Sequence, residues 1–253
     1  MHREATGLAG VRHITYETLG STNVEALSLA RAGERGSLWI TASSQNAGRG
    51  RRGSAWASPP GNLYASLLLS EPSPKPLAPQ LSFVAALALH DALCDCAPRL
   101  GPLFKLKWPN DLLLRPDKLA GILIEGESEA VFAVVIGFGV NCINHPLDSF
   151  FPATDLRLAG AVVAPEVLFA ALSVAMLHRL AQWQSGAGFA AIRADWLARA
   201  AGLGEDIRVR LPERELRGRF HGLDEAGRLQ VEQRSGLATV TAGEVFELGS
   251  RSA

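Results

Sequence analysis

Three short stretches carry side chains whose types and spacing could do chemistry. The first is Gln45-Asn46-Ala47-Gly48-Arg49-Gly50-Arg51-Arg52-Gly53. It contains Gly-x-Gly-x-x-Gly, the spacing of a dinucleotide fingerprint. That fingerprint must open a helix, and Ser54-Ala55-Trp56-Ala57-Ser58-Pro59-Pro60-Gly61 cannot form one. No Gly-Lys-Ser/Thr follows, so it is not a Walker loop either. One remaining reading is a loop that closes on an anion. Its glycines permit unusual backbone angles, and its arginines offer charge-assisted forks to carboxylate or phosphate. A solvated basic loop or an RNA-binding turn fits the same residues.

The second stretch is Lys107-Trp108-Pro109-Asn110-Asp111, where an alternating strand is stopped by proline with two polar side chains held at its end. Such a site suits polar ligands, and an ordinary Asn-Asp turn would look the same. Seven residues on, Lys118 enters an apolar strand that contains Gly121. A glycine inside a strand often marks close approach by a ligand or another backbone, while a lysine at a strand end can simply snorkel to water. The third stretch, Ile136-Gly137-Phe138-Gly139-Val140-Asn141, reads as a buried strand ending on a polar side chain, with tight sheet packing as the alternative. The chain has four lysines, Lys75, Lys105, Lys107 and Lys118, against 21 arginines. Three of the four fall between positions 105 and 118, and a compact ammonium is not interchangeable with a planar guanidinium.

These stretches need elements to position them. Residues 13–20 read as a strand. Ser21-Thr22-Asn23 precedes an Ala/Leu-rich helix to Ala32, with Glu25 placed for a capping box and Gly33 and Gly36 as stops. Strands are expected at 37–44, 63–69, 104–108, 111–115, 119–125 and 131–141, and helices at 81–96, 165–183 and 189–200. The run 71–79 has four prolines and must be a loop. From Asp206 to Leu248 the texture changes to short alternating runs at 206–211, 215–221, 228–233 and 237–241. This predicts a small all-β unit, with residues 1–202 as one domain and 203–253 as a second. The helix–strand mixture before the boundary does not alternate strictly, so the fold class is α+β, with a mixed or antiparallel sheet flanked by helices.

Composition excludes several classes. The formal net charge is zero over 253 residues, so whole-molecule electrostatics gives no pull toward nucleic acid or an anionic membrane. No apolar run approaches the roughly 18–20 residues of a membrane span, and no signal peptide is apparent. Cys94, Cys96 and Cys142 make an odd set with no disulfide framework, which fits reduced thiols in the cytoplasm. The six histidines form no His-x-x-x-His pair, and no Gly-x-Ser-x-Gly elbow appears.

Taken in order, Ser21-Thr22-Asn23, Gln45, Gly-Arg-Gly-Arg-Arg-Gly (48–53), Trp56, Lys-Trp-Pro-Asn-Asp (107–111), Lys-Leu-Ala-Gly-Ile-Leu (118–123) and Gly-x-Gly-x-Asn (137–141) resemble the successive motifs of the biotin–protein ligases. The likeness spans about 20 to 250. It implies a class II synthetase-like catalytic domain followed by an SH3-like β domain. It also implies an enzyme that forms biotinyl-5′-AMP from biotin and ATP, then passes biotin to a lysine of a biotin carboxyl carrier protein. By that resemblance Ser21, Thr22, Asn23, Gln45, Arg49, Gly50, Arg51, Lys118 and Gly121 would hold biotin. Arg51, Arg52, Trp56, Lys107, Asn110, Asp111 and Asn141 would hold ATP or the adenylate. Lys118, Arg49 and Arg51 would be catalytic. No residue is assigned to a metal, Mg²⁺ being expected on the ATP phosphates. The resemblance is compatible with a homodimer. Two departures stand out. Ser54 occupies a position where the family often has arginine, so loop closure would lean on Arg49, Arg51 and Arg52. About 20 residues precede Ser21, too few for the winged-helix DNA-binding domain of some members, so no nucleic-acid partner is expected, and the lack of a spanning apolar run makes a membrane partner unexpected too.

Overall fold

The computed structural model describes residues 2–6, 11–128, 132–147 and 151–248. An eight-stranded sheet forms the centre. Its strands are β1 (His2–Thr6), β2 (Arg12–Leu19), β3 (Ser37–Gln45), β4 (Leu63–Ser70), β5 (Phe104–Lys107), β6 (Asp111–Leu114), β7 (Asp117–Glu127) and β8 (Ala133–Val140). They lie in the order β1-β2-β3-β4-β8-β7-β6-β5. Only β2 and β3 run parallel. The crossover between them is α1 (Thr22–Arg31). All other neighbours pair antiparallel, so the sheet is mixed, as the sequence predicts.

Strand alternation sorts the side chains onto two faces. Leu38, Ile40, Leu68, Ala133 and Val135 pack on Ala26, Leu27 and Ala30 of α1. The intervening Trp39, Leu67, Leu69, Val134 and Ile136 point the other way, into the core built on α2 (Leu81–Cys96) and α3 (Pro165–Trp183). α4 (Phe189–Leu197) packs beside them, with Phe83 meeting Phe189 and Trp196 edge-on. α2 is long and apolar enough, together with the turn before it, to satisfy the composition of a membrane span. It is mostly buried inside the protein, as a core helix should be.

The second sheet is antiparallel, with β9 (Asp206–Arg210), β10 (Glu215–Leu223), β11 (Leu229–Gln233), β12 (Gly236–Val240) and β13 (Glu244–Leu248) in the order β12-β11-β10-β9-β13. Its inward residues Ile207, Val209, Phe220 and Val231 join the same continuous core as α2 and α3. Trp108 Nε1 donates to Gly227 O at 3.3 Å across the junction. Gly227 has φ +82°, and any side chain there would run into Phe83 and Phe189.

Two strands lie outside the sequence expectation, β1 and β13. The last helix, expected to reach Ala200, stops at Leu197. The capping box is also absent: the Ser21 side chain makes no cap hydrogen bond. The Thr22 N–H, which the Glu25 carboxylate would accept in such a box, goes instead to Gln45 Oε1 at 2.8 Å, and Glu25 accepts from the Tyr16 hydroxyl.

Candidate active site

On the α1 face of the sheet, the surface beyond the start of α1 is left uncovered. Its floor is made of β8 and β7, and here the side chains become small. Gly121 pairs with Gly139, and Leu123 with Gly137. The glycines are there because other groups lie on them. A Cβ on Gly137 would collide with the Asn23 amide, and one on Gly139 or Gly121 would press into the Trp56 indole. A cleft of about 1040 Å³ opens above this floor.

At one end, β5 and β6 meet in a tight hairpin whose turn holds a cis Trp108–Pro109 bond. The turn aims Asp111 between two ammonium groups. Lys107 Nζ lies 2.9 Å from one carboxylate oxygen and Lys118 Nζ 2.7 Å from the other. Burial alone would raise the Asp111 pKa, but the attraction of Lys118 and then of Lys107 outweighs it and holds the group below its ordinary value. Two cations around one carboxylate leave the cluster with net positive charge. Aromatic faces complete it: Phe151 lies 4.3 Å from Lys107 Nζ and Trp56 5.4 Å from Lys118 Nζ. Lys105, on the same strand face as Lys107, is exposed, whereas Lys107 is buried against Asp111 and Phe151.

At the other end is the first turn of α1. Gln45 Oε1 accepts from the Thr22 N–H and hydroxyl, and Gln45 Nε2 donates to Ser58 Oγ at 2.9 Å. Ser66 Oγ donates to Asn23 Oδ1 at 2.6 Å and lies 2.8 Å from the Thr22 hydroxyl. Thr22 and Asn23 are buried with their hydrogen bonds satisfied, so this end is rigid.

The arginine loop is a short hairpin rather than featureless chain. Trp56 N donates to Gly48 O, and Gly50 N to Ser54 O at 2.7 Å. Arg52 takes a left-handed conformation at φ 55°. Arg49 Nη2 reaches Glu125 Oε1 at 2.9 Å. Arg51 Nη1 donates to Asn110 Oδ1 at 3.2 Å and to Gly243 O at 3.3 Å. Burial, and then the repulsion of Arg52, lowers the Arg51 pKa. Ser54 Oγ donates to Arg51 O, tying the loop tip to itself. On the far wall, Asn141 is buried and donates to Thr154 O at 3.0 Å. The turn after it is gripped by Asn62, whose Oδ1 accepts from the backbone N–H groups of Cys142, Ile143 and Asn144.

The structure thus brings the separate sequence motifs to one cleft. Of the residues singled out from sequence, Asn23 and Lys107 do not line it. Asn23 is seated over Gly137, between it and the start of α1, and Lys107 lies against Asp111.

Comparison with known proteins agrees with this geometry. Residues 20–141 match the family described as biotin/lipoate A/B protein ligases, and residues 202–246 match the biotin protein ligase C-terminal domain. The chain is 44% identical over 240 residues to a biotin–[acetyl-CoA-carboxylase] ligase of Paracoccus denitrificans, covering 89% of this chain and 96% of that one. The chain belongs to the biotin protein ligase family. A bifunctional ligase/repressor BirA of Bacillus subtilis is 31% identical, with 96% of this chain and 76% of that one covered. A biotin protein ligase from Aquifex aeolicus, solved in complex with biotin and ATP, superposes with a TM-score of 0.78 at 27% identity over 92% of this chain and 97% of that one.

Within this ligase fold, several cleft residues escaped the sequence reading. Arg210 and Glu244 reach the cleft from adjacent strands of the second sheet, and Glu244 sits on the unexpected β13. Phe151 and Pro146 come from the connection after β8. Among the described residues no group of three or more His, Cys, Asp or Glu side chains could hold a metal. Asp111 has both oxygens committed to lysines. This donor set does not make a resident metal site among the described residues.

Proposed function

We propose that the protein is an ATP-dependent biotin–protein ligase. Biotin's carboxylate attacks the α-phosphorus of ATP and pyrophosphate leaves. The amine of a lysine on a biotin carboxyl carrier protein then attacks the acyl carbon of biotinyl-5′-AMP, and AMP leaves. The observation that carries this reading is the Lys107–Asp111–Lys118 cluster at the end of a glycine floor. The chain as a whole is neutral, yet five cationic side chains line the cleft (Arg49, Arg51, Arg52, Lys118, Arg210) against two anionic ones (Asp111, Glu244). The first step brings two anions together, and fixed positive charge where negative charge develops lowers its barrier.

In this reading the biotin rings lie toward Ser21, Thr22 and Gln45, where a neutral ligand meets a satisfied polar network and apolar Leu123. Its carboxylate lies near Lys118. The nucleotide lies toward Trp56, Asn110 and Asn141, with Arg51 and Arg52 on its phosphates and Mg²⁺ entering bound to ATP. The Gly50 loop shields the reactive anhydride from water until the carrier docks. The carrier is that of a biotin-dependent carboxylase, and the compartment the cytoplasm. Incubation with ATP and either biotin, lipoate or octanoate, following pyrophosphate release, tests the assignment. Release dependent on biotin alone is expected. Turnover with lipoate or octanoate instead would replace biotin with another acyl substrate.

A further inference from the structure

We propose that Glu125 is a positioning residue that holds the loop arginine Arg49 in register with the floor of the cleft. Glu125 lies near the end of β7, opposite Val135. Its carboxylate joins two parts of the site that are 102 and 76 residues away in sequence. Oε2 accepts from Asn23 Nδ2 at 2.9 Å, and Oε1 accepts from Arg49 Nη2 at 2.9 Å.

The two partners differ in freedom. Asn23 is buried, receives Ser66 Oγ at 2.6 Å and is seated over Gly137. Arg49 stands on a glycine-flanked hairpin, and its side chain is 44% exposed. Register therefore passes from the rigid side to the mobile one. The loop also needs a countercharge, because Arg49, Arg51 and Arg52 crowd like charges into four residues. Asp111 is already committed to its two lysines, and Arg51 turns to Asn110 and Gly243. Glu125 supplies that countercharge for Arg49 and ties it to the wall that carries Thr22 and Asn23. An ion pair of this exposure is weak, enough to shift the loop's closed population by about two- to five-fold.

The kinetic part of this inference rests on the biotin-ligase reading, whereas the structural part does not. Glu125→Gln keeps an oxygen for Asn23 and loses the charge for Arg49. Without ligand, trypsin should cut Glu125→Gln after Arg52 about two- to five-fold faster than the unsubstituted protein, with an unchanged melting temperature. Arg49→Gln should speed that same cut equally, and the double variant should be no faster than either single one. With biotin and ATP, Glu125→Gln should raise KM for biotin while kcat for pyrophosphate release changes less. Cleavage of either single variant at the unsubstituted rate would overturn the proposal, as would additive effects in the double variant. If the cleavage pattern appears but no biotin-dependent pyrophosphate release does, the Glu125–Arg49 tie stands and the substrate assignment falls.

Discussion

At the scale of single residues, the site depends on which kind of cation stands where. Lys118 ends in a point charge that fits between Asp111 Oδ1 and the Trp56 ring. A guanidinium is planar and wider and could not occupy that space in the same way. Lys118→Ala should cut pyrophosphate release by about 10²–10³-fold, and Lys118→Arg should restore little of it. Circular dichroism should show both variants folded. Near-normal release by Lys118→Ala would remove this lysine from the chemistry. Asp111 makes a different prediction. Asp111→Asn leaves two neighbouring ammonium groups without their carboxylate, and loss of one partner from a buried ion cluster costs about 3–5 kcal/mol. The folded-state pKa of Asp111 lies below the ordinary value of 3.8. The stabilisation linked to that shift is therefore complete above the unfolded value and lost as pH falls through the folded one. Melting curves of the two proteins should differ by a constant amount above about pH 5 and converge in more acidic buffer. A gap that stayed constant into strong acid would show that the carboxylate charge is not what stabilises the cluster.

At the scale of elements, the arginine loop is a hairpin whose two sides are pinned unequally. Its base is held by Gln45, Ser58 and Trp56, while its tip, Arg51 to Ser54, bonds mainly to itself and to Asn110 and Gly243. Biotin and ATP together should slow proteolysis after Arg49, Arg51 or Arg52, increasingly so with ligand concentration. Equal cleavage with and without ligands would argue against a lid.

The elements also show what could be read from sequence. Lys118, Gly121 and the Asn110-Asp111 turn were legible because strand alternation and turn chemistry are local signals. The capping box at the start of α1 was misread for the opposite reason. Glu25 stands at the right spacing for a capping box, but Gln45, 23 residues on from Thr22, takes the N–H. Arg49 was visible as an arginine, but not its tie to Glu125, which crosses 76 residues. Glu244 and Arg210 were missed because they enter the cleft only once the second sheet docks, and no periodicity within β9 or β13 announces that contact.

At the scale of the whole molecule, the two sheets share one core. Phe83 of α2 lies under Gly227, Trp108 bonds across the junction, and Leu106 pairs with Ala200. A shared core should melt as a unit. Calorimetry should give one transition with equal calorimetric and van't Hoff enthalpies. A chain ended after Gly204 should lose that cooperativity, since Phe83, Trp108 and Phe189 would face water. Two well-separated transitions in the intact protein would contradict a common core.

The lysine arrangement has one more consequence. An acyl-adenylate acylates any free amine it meets, so a protein that makes one endangers its own side chains. Here two of the four lysines, Lys107 and Lys118, are held in ion pairs with Asp111, which keeps their side chains from swinging to an acyl carbon. The other two, Lys75 and Lys105, are exposed away from the lining of the cleft. Arginine carries nearly all the remaining positive charge, and a guanidinium is a poor nucleophile. The chain that handles the reactive anhydride thus presents it with almost nothing of its own to label, and the carrier's lysine meets little competition.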